Sequence, residues 1–265
     1  MNRVIPGLIL AAAWLLLLTL APAWLFGLVL VFGAGLALNE YFRMSMPTLR
    51  GGVRLGAILC GLAPVLAALS GQAELVLLGL FLSLAACIVM GLTRYASWEN
   101  VLHFLSNTGF ASLYLGLCSA YLMLLRLLPH GSFWLILLTA IIAGSDTGAY
   151  YSGRRFGRRK IFPNISPKKT LEGVVGGILC GAAFAIIVHL LMDGPIALVL
   201  LVPAAVLLVL VGIAGDLTES MIKRASGVKD SGTILAGHGG LLDRIDSLLL
   251  SAPALYYLLY FLSIS

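Results

Sequence analysis

The chain has 265 residues, of which 60% are hydrophobic and only 11% are charged. Because soluble domains contain about 25% charged residues, this composition excludes an ordinary soluble globule and predicts a polytopic membrane protein. The formal net charge of +6 does not indicate a nucleic-acid partner, because basic loops beside membrane spans are the usual topology signal. The four cysteines stand singly in apolar segments without a CxxC pair, so zinc and redox chemistry are unsupported.

The predicted fold is an all-α membrane domain with about nine transmembrane helices. A helix needs about 20 mostly apolar residues to cross a bilayer. Nine segments approach that length: Ile5–Leu20, Ala21–Leu38, Leu55–Leu69, Leu75–Leu92, Phe104–Leu125, Phe133–Tyr151, Gly173–Met192, Pro195–Ala214 and Ser247–Leu262. The first apolar run continues past Pro22 without a convincing cleavage site, so we interpret it as a retained span. Short loops and the lack of repeats indicate one domain over residues 1–265.

Basic residues are distributed unequally between the loops on the two sides of the predicted spans. With the N-terminus in the cytoplasm, 16 of the 17 lysines and arginines fall in cytoplasmic segments, and only Arg126 lies outside them. The positive-inside rule therefore favours an N-in/C-out orientation. The two most polar segments, 152–172 and 215–246, then lie on the cytoplasmic side.

The segment from Asp216 to Asp246 holds nine of the 28 charged residues. If its first part is helical, one face carries Asp216, Glu219, Ser220, Lys223 and Arg224. A solvated face with ion pairs is the alternative, but this helix continues a membrane span, where ionisable groups are expensive unless they serve a function. We therefore favour a functional face at the membrane boundary.

A glycine-rich stretch, Gly237-His238-Gly239-Gly240, precedes the last predicted span. Its glycines permit positive φ angles and the close approach of a ligand, but the stretch matches neither a Walker motif nor a dinucleotide fingerprint. Asp243 and Asp246 follow at a spacing of three residues, which suits Mg²⁺ that keeps water and substrate phosphates as further ligands. Helix capping by acids is the bland alternative.

A second polar cluster extends from Asp146 to Glu172. Asp146 lies within apolar sequence, which indicates either a paired buried acid or a ligand. Lys168, Lys169 and Thr170 stand at a predicted helix start, where side chains and free N–H groups can bind phosphate. A solvated basic loop is the alternative here.

One long motif follows the first of these helices: Ser220-x-Ile222-Lys223-Arg224-x4-Lys229-Asp230-x-Gly232-x2-Leu235-x2-His238-Gly239-Gly240-Leu241-x-Asp243-Arg244-Ile245-Asp246. It resembles the signature of the phosphatidate cytidylyltransferases, also called CDP-diacylglycerol synthases. The segments 146–150 and 166–173 resemble further blocks of that family, in the expected order. Residues 131–265 are thus expected to hold the catalytic spans and loops, whereas residues 1–130 match only as generic, variable spans. Ala236 departs from the family pattern of Pro, Gly or Ser before Gly237.

The resemblance implies that CTP and phosphatidate react to CDP-diacylglycerol and diphosphate with Mg²⁺, and a second cation is left open. It implies metal ligation by Asp216, Asp243 and Asp246, with Lys223 and Arg224 as further catalytic residues. Substrate contacts are expected from the remaining polar positions: Lys168, Lys169, Thr170, Ser220, Lys229, His238, Gly239, Gly240 and Asp146. The expected location is the bacterial inner membrane, with the active site facing the cytoplasm among membrane lipids. A homodimer is left open.

Two alternatives remain at this level. A CDP-archaeol synthase or a CTP-dependent lipid kinase would share the nucleotide and the metal but use another acceptor. An anion transporter should show ionisable residues at the middle of several spans or broken helices in paired repeats, and this sequence shows neither.

Overall fold

The computed structural model describes residues 4–97, 100–232 and 239–263, and helices dominate them. Ten α-helices occur in these ranges: α1 Val4–Leu20, α2 Ala23–Ser45, α3 Gly51–Ala68, α4 Ala73–Thr93, α5 Val101–Ala111, α6 Cys118–Leu127, α7 Gly131–Phe156, α8 Leu171–Met192, α9 Leu198–Ala225 and α10 Leu242–Phe261. A π-helical segment, Ser112–Leu117, makes α5 and α6 continuous. The described residues contain no β-strand, which confirms the all-α prediction.

Seven helical stretches among the described residues are long and apolar enough to cross a membrane: α2, α3, α4, the continuous helix Val101–Leu127, α7, α8 and α9. This set is typical of a polytopic membrane protein. The first and last predicted spans, Ile5–Leu20 and Ser247–Leu262, are the two without a counterpart among the seven. The count of nine and the N-in/C-out orientation therefore stay predictions.

The contacts within the chain divide it into two compact units, whereas the sequence predicted one membrane domain. The first unit comprises Met1–Leu127 and Ser226–Arg244, and the second comprises Leu128–Ala225 and Ile245–Ser265. Helix α10 begins in the first unit and continues in the second. The prediction of one membrane domain is not tested by this grouping.

In the first unit, the predicted boundary between the first two spans is present as a break between α1 and α2. Pro22 lacks an N–H group and precedes α2, and its carbonyl oxygen accepts the N–H of Leu25 at 3.0 Å. The guanidinium of Arg126 donates to the carbonyl oxygen of Ala21 at 2.8 Å. This basic residue, the one outside the predicted cytoplasmic segments, thus stabilises the connection.

In the second unit, α7 and α8 pack closely because small residues face each other along both helices. A Cβ on Gly148 would collide with the carbonyl oxygen of Gly176, so only glycine permits this approach. The close packing fixes the C-terminal end of α7 against the start of α8. The polar residues at those two ends are therefore held on a rigid pair of helices.

Candidate active site

A cavity of about 540 Å³ lies within the second unit, between the end of α7, the loop before α8 and the middle of α9. Its lining includes six charged side chains: Asp146, Arg154, Lys160, Lys168, Lys169 and Asp216. Thr170 also lines it, so five of the predicted site residues meet in one cavity. Four cations against two carboxylates make the cavity suitable for a polyanion such as a triphosphate.

The loop between α7 and α8 is held by its own hydrogen bonds. Lys160 and Thr170 form an isolated antiparallel bridge, and the Thr170 hydroxyl accepts the N–H of Gly173 at 3.2 Å as the N-cap of α8. The Glu172 carboxylate accepts the backbone N–H groups of Arg158 at 3.0 Å and Arg159 at 3.3 Å. The predicted helix start at Ser166–Gly173 is therefore confirmed, and the loop presents Lys168 and Lys169 in a defined place.

The two adjacent lysines have different surroundings. Lys168 is exposed at the cavity, whereas the ammonium of Lys169 lies 2.8 Å from Oδ2 of Asp216 and donates to the carbonyl oxygen of Ile213 at 3.3 Å. The other carboxylate oxygen of Asp216 accepts the hydroxyl of Ser220 at 3.3 Å. Asp216 is thus oriented from both sides, by a loop residue and by its own helix.

Helix α9 continues beyond the predicted span to Ala225, which confirms that Asp216–Arg224 is helical. Its polar residues differ in burial: Glu219 is fully buried and forms an ion pair with Lys223 one turn later, whereas Arg224 is exposed. Lys223 lies on the predicted polar face. Because its ammonium is paired with the buried carboxylate of Glu219, it also stabilises this helix locally. Glu219 was placed on that face by the sequence but was assigned no role.

Asp246 lies on α10 at a close approach to α9. A Cβ on Gly215 would lie 2.5 Å from the carbonyl oxygen of Asp246, so the glycine permits the close approach. Burial, together with the negative charge of nearby Asp216, raises the pKa of Asp246 to about 7. Two acids on adjacent helices therefore repel each other at this place, and a bound cation would relieve the repulsion.

Asp243 belongs to the first unit, and its surroundings are those of a loop anchor. Its Oδ2 accepts three hydrogen bonds: from the N–H of Ser231 at 3.0 Å, from the Ser231 hydroxyl at 2.9 Å and from the N–H of Gly240 at 2.8 Å. Gly239 has a φ of +80°, which confirms that the glycine-rich stretch uses positive φ. Lys229, in the same unit, is exposed. His238 lies outside the described residues.

Glu40 is the polar residue that the sequence analysis missed. It lies on α2, is only 2% exposed, and accepts the backbone N–H groups of Leu241 at 3.0 Å and Leu242 at 2.9 Å. One signal was present in the sequence, since Glu40 stands two residues after the end of a long apolar run at Leu38. Its partner, 201 residues away in the chain, could not be identified from spacing.

The acids of the second unit fit a magnesium ion whose remaining ligands would come from a bound phosphate compound and water. Within residues 4–97, 100–232 and 239–263, no three His, Cys, Asp or Glu side chains form a group that could cage a metal. Mg²⁺ in phosphoryl-transfer sites is usually held by one or two carboxylates plus substrate phosphates and water. Asp216 and Asp246, two neighbouring acids beside a cationic cavity, provide such a pair.

Comparison with known proteins gives a match over nearly the whole chain. The sequence model of the cytidylyltransferase family matches residues 1–262. The chain is 43% identical over 150 residues to a phosphatidate cytidylyltransferase of Bacillus subtilis, a match that covers 56% of each protein. It is 46% identical over 140 residues to the Pseudomonas aeruginosa protein of that name, covering 52% of each.

A third relative, from Haemophilus influenzae, has the same name and is 44% identical over 138 residues, which cover 50% of this chain and 47% of the relative. The chain therefore spans about half the length of the curated relatives it matches.

Proposed function

Because the chain belongs to the cytidylyltransferase family, we propose that it is a phosphatidate cytidylyltransferase, which converts CTP and phosphatidate to CDP-diacylglycerol and diphosphate. The observation that carries the proposal is the cavity whose charged lining is four cations around Asp146 and Asp216. The names of three bacterial relatives support the same substrates. The resemblance of the motif from Ser220 to Asp246 supports the same activity independently of the cavity.

The reaction requires positioning and electrostatic stabilisation more than proton transfer. A phosphate oxygen of phosphatidate attacks the α-phosphorus of CTP, and the bond to the bridging oxygen of the β-phosphate breaks as diphosphate leaves. The attacking oxygen is already anionic near neutral pH, so no strong general base is needed. The obstacle is the repulsion of two polyanions, which the cations of the cavity would reduce.

We assign the cations of the cavity to different tasks. Lys168, exposed at the cavity, together with Arg154 and Lys160, would bind the anionic oxygens of the triphosphate or of the departing diphosphate. Lys169 would keep Asp216 oriented, since it is already bonded to that carboxylate. Asp146, which lines the same cavity as Asp216 and Lys169, would support this arrangement.

Magnesium would neutralise negative charge on the triphosphate and on the leaving diphosphate. Asp216 and Asp246 would hold it, because they are neighbouring acids on α9 and α10 within the second unit. Asp243 stays a predicted third ligand, with one carboxylate oxygen engaged by Ser231 and Gly240. A second cation stays open. Contacts with substrate from the other predicted positions remain proposals: Thr170, Ser220, Lys223, Arg224, Lys229, His238, Gly239 and Gly240.

We place the enzyme in the bacterial inner membrane, with its active site facing the cytoplasm. The support is the asymmetry of lysine and arginine, 16 of 17 of which fall in predicted cytoplasmic segments, and the bacterial origin of the relatives. CTP is then available from the cytoplasm and phosphatidate from the bilayer. A homodimer remains an open proposal.

The deciding experiment measures product formation by the purified protein in mixed micelles. Radiolabelled CTP, phosphatidate and Mg²⁺ should give a lipid-soluble nucleotide and an equal amount of diphosphate. Omission of phosphatidate, and a variant with Asp216→Asn, serve as controls. A wild-type protein that is folded but forms no lipid-soluble nucleotide would contradict the proposal.

The same assay separates the alternatives through the acceptor. Diacylglycerol in place of phosphatidate should give no product, whereas a CTP-dependent lipid kinase would form phosphatidate and CDP. An ether-linked archaeol phosphate should be a poorer acceptor than phosphatidate, and the opposite order would indicate a CDP-archaeol synthase. Release of diphosphate, not of CDP, identifies nucleotidyl transfer.

A further inference from the structure

Glu40 makes a contact that joins α2 to the start of α10 within the first unit. Its Oε1 accepts the N–H of Leu241, and its Oε2 accepts the N–H of Leu242, at 3.0 and 2.9 Å. Helix α10 begins at Leu242, so these are the N–H groups of the N-cap residue and of the first helical residue. A carboxylate from another helix thus caps α10.

The chain lacks a side-chain cap at this position, which explains why a distant acid can take the role. The residue before α10 is Leu241, which has no side-chain oxygen to accept an N–H group. Burial of an acid is costly unless hydrogen bonds or opposite charge compensate it. Here the two N–H groups and the positive end of the helix dipole compensate the charge of Glu40, which is 2% exposed.

The glycines around this carboxylate are explained by the same contact. A Cβ on Gly232 would lie 2.5 Å from Oε1 of Glu40, and a Cβ on Gly240 would lie 2.6 Å from Oε2. Gly240 belongs to the glycine-rich stretch that the sequence analysis connected with a nucleotide. A side chain at Gly240 would meet both the Ser231 hydroxyl and Oε2 of Glu40, so these two buried groups together favour a glycine there, whatever else the stretch does.

Asp243 completes the arrangement from the helix itself. Its Oδ2 accepts the N–H groups of Ser231 and Gly240, while Glu40 accepts those of the next two residues, Leu241 and Leu242. Three consecutive N–H groups at the start of α10 are thus engaged by two carboxylates. These N–H groups already have carboxylate acceptors, and the negative charge of the two carboxylates favours a cation over an anion here.

We propose that Glu40 is a positioning residue of the transferase: it fixes the first turn of α10, and with it the place of Asp243. The expected effect on kcat rests on the proposed function. The contact of Glu40 with the N–H groups of Leu241 and Leu242 does not depend on that function. Glu40 is not a catalytic residue in this scheme, because it acts through the backbone of Leu241 and Leu242. Its substitution should therefore change kcat far more than the KM for either substrate.

The test compares Glu40→Gln with the matched control Glu74→Gln. Glu74 is an exposed acid of the same unit, in the first turn of α4. Hydrogen–deuterium exchange of the peptide that contains residues 241 and 242 reads the contact without any substrate. In Glu40→Gln this exchange should become about tenfold to a hundredfold faster, because a glutamine presents an NH₂ group to one of the two N–H groups. Peptides from α7 should be unchanged.

Turnover is measured on the same folded preparations. Glu40→Gln should lower kcat by about tenfold or more, because it weakens the contact with the N–H groups of Leu241 and Leu242. Both KM values should stay within about twofold of those of Glu74→Gln. A residue with only a stabilising role would lower the yield of folded enzyme but not kcat per folded molecule. If Glu40→Gln is not recovered folded, Glu40→Asp, which keeps the charge but has a shorter reach, is measured in the same two ways.

Unchanged exchange at residues 241 and 242, or a kcat equal to that of Glu74→Gln, would overturn the inference. Exchange needs no substrate, so it decides the contact even if the wild-type protein forms no CDP-diacylglycerol. A folded wild-type protein that forms no CDP-diacylglycerol would count against the proposed transferase activity, not against this contact.

Discussion

The ammonium of Lys169 lies 2.8 Å from the carboxylate of Asp216 and joins the loop before α8 to the middle of α9. The neighbouring Lys168 is exposed at the same cavity. Two adjacent lysines that the sequence treats alike therefore have different surroundings, one oriented towards an acid and one available to a ligand. This difference gives the first two predictions.

Lys168→Ala should raise the KM for CTP, because it removes a cation from the cavity without freeing a partner. A charge-assisted contact is worth roughly 1.5–3 kcal/mol, but exposure reduces this, so we expect about a tenfold increase. The KM for phosphatidate should change little. Initial rates in mixed micelles, with each substrate varied in turn, measure both. A selective loss of phosphatidate affinity would instead place Lys168 at the lipid headgroup.

Lys169→Ala should lower kcat more than it raises the KM for CTP, since it leaves Asp216 without its oriented cation. The direct energy of this partly exposed ion pair is only about 1 kcal/mol. A double-mutant cycle with Asp216→Asn separates the shared contribution from the individual ones. Additive effects of the two substitutions on turnover would show that the pair does not act together.

Asp246→Asn should reduce turnover by at least about a hundredfold, because a neutral amide is a weaker ligand for Mg²⁺ than a carboxylate. The matched control is Asp193→Asn, at the exposed C-cap of α8, where φ is +49° and asparagine is well tolerated. Titration of activity with Mg²⁺ provides the measurement. Near-wild-type activity of folded Asp246→Asn at ordinary Mg²⁺ would refute this ligand assignment.

Gly215→Ala should destabilise the second unit, since its Cβ would lie 2.5 Å from the carbonyl oxygen of Asp246. Overpacking of this kind costs about 1–3 kcal/mol. Gly109→Ala is the control, because nothing lies within 4 Å of its added Cβ and alanine favours helix by about 1 kcal/mol. Thermal unfolding in detergent should show a lower Tm for the first variant and an equal or higher Tm for the second. Equal Tm values for both would contradict the close approach of α9 and α10.

Cysteines introduced at His130 and Arg158 should react with an impermeant reagent from opposite sides of the membrane. These residues flank α7 at its opposite ends, and the asymmetry of lysine and arginine predicts that Arg158 lies in the cytoplasm. The four native cysteines must first be replaced, although three are buried and one is half-buried. Labelling of both positions from one side would contradict the nine-span topology.

The sequence by itself determined the class of fold and the family. Apolar length predicted the helices, including a boundary between the spans Ile5–Leu20 and Ala21–Leu38, because hydrophobic burial in a bilayer depends on the local composition of each segment. The spacing from Ser220 to Asp246 was sufficient for the resemblance to cytidylyltransferases. Helical spacing also predicted that the polar residues Asp216–Arg224 continue the α9 helix.

Only the tertiary structure decided which partner each polar group has. It paired Lys169 with Asp216, and it brought Glu40 to the start of α10. Periodicity records which face of a helix a residue occupies, but not which distant segment packs against that face. A buried acid such as Glu40 is compensated by backbone N–H groups 201 and 202 residues away, and only the packing of the helices creates that proximity.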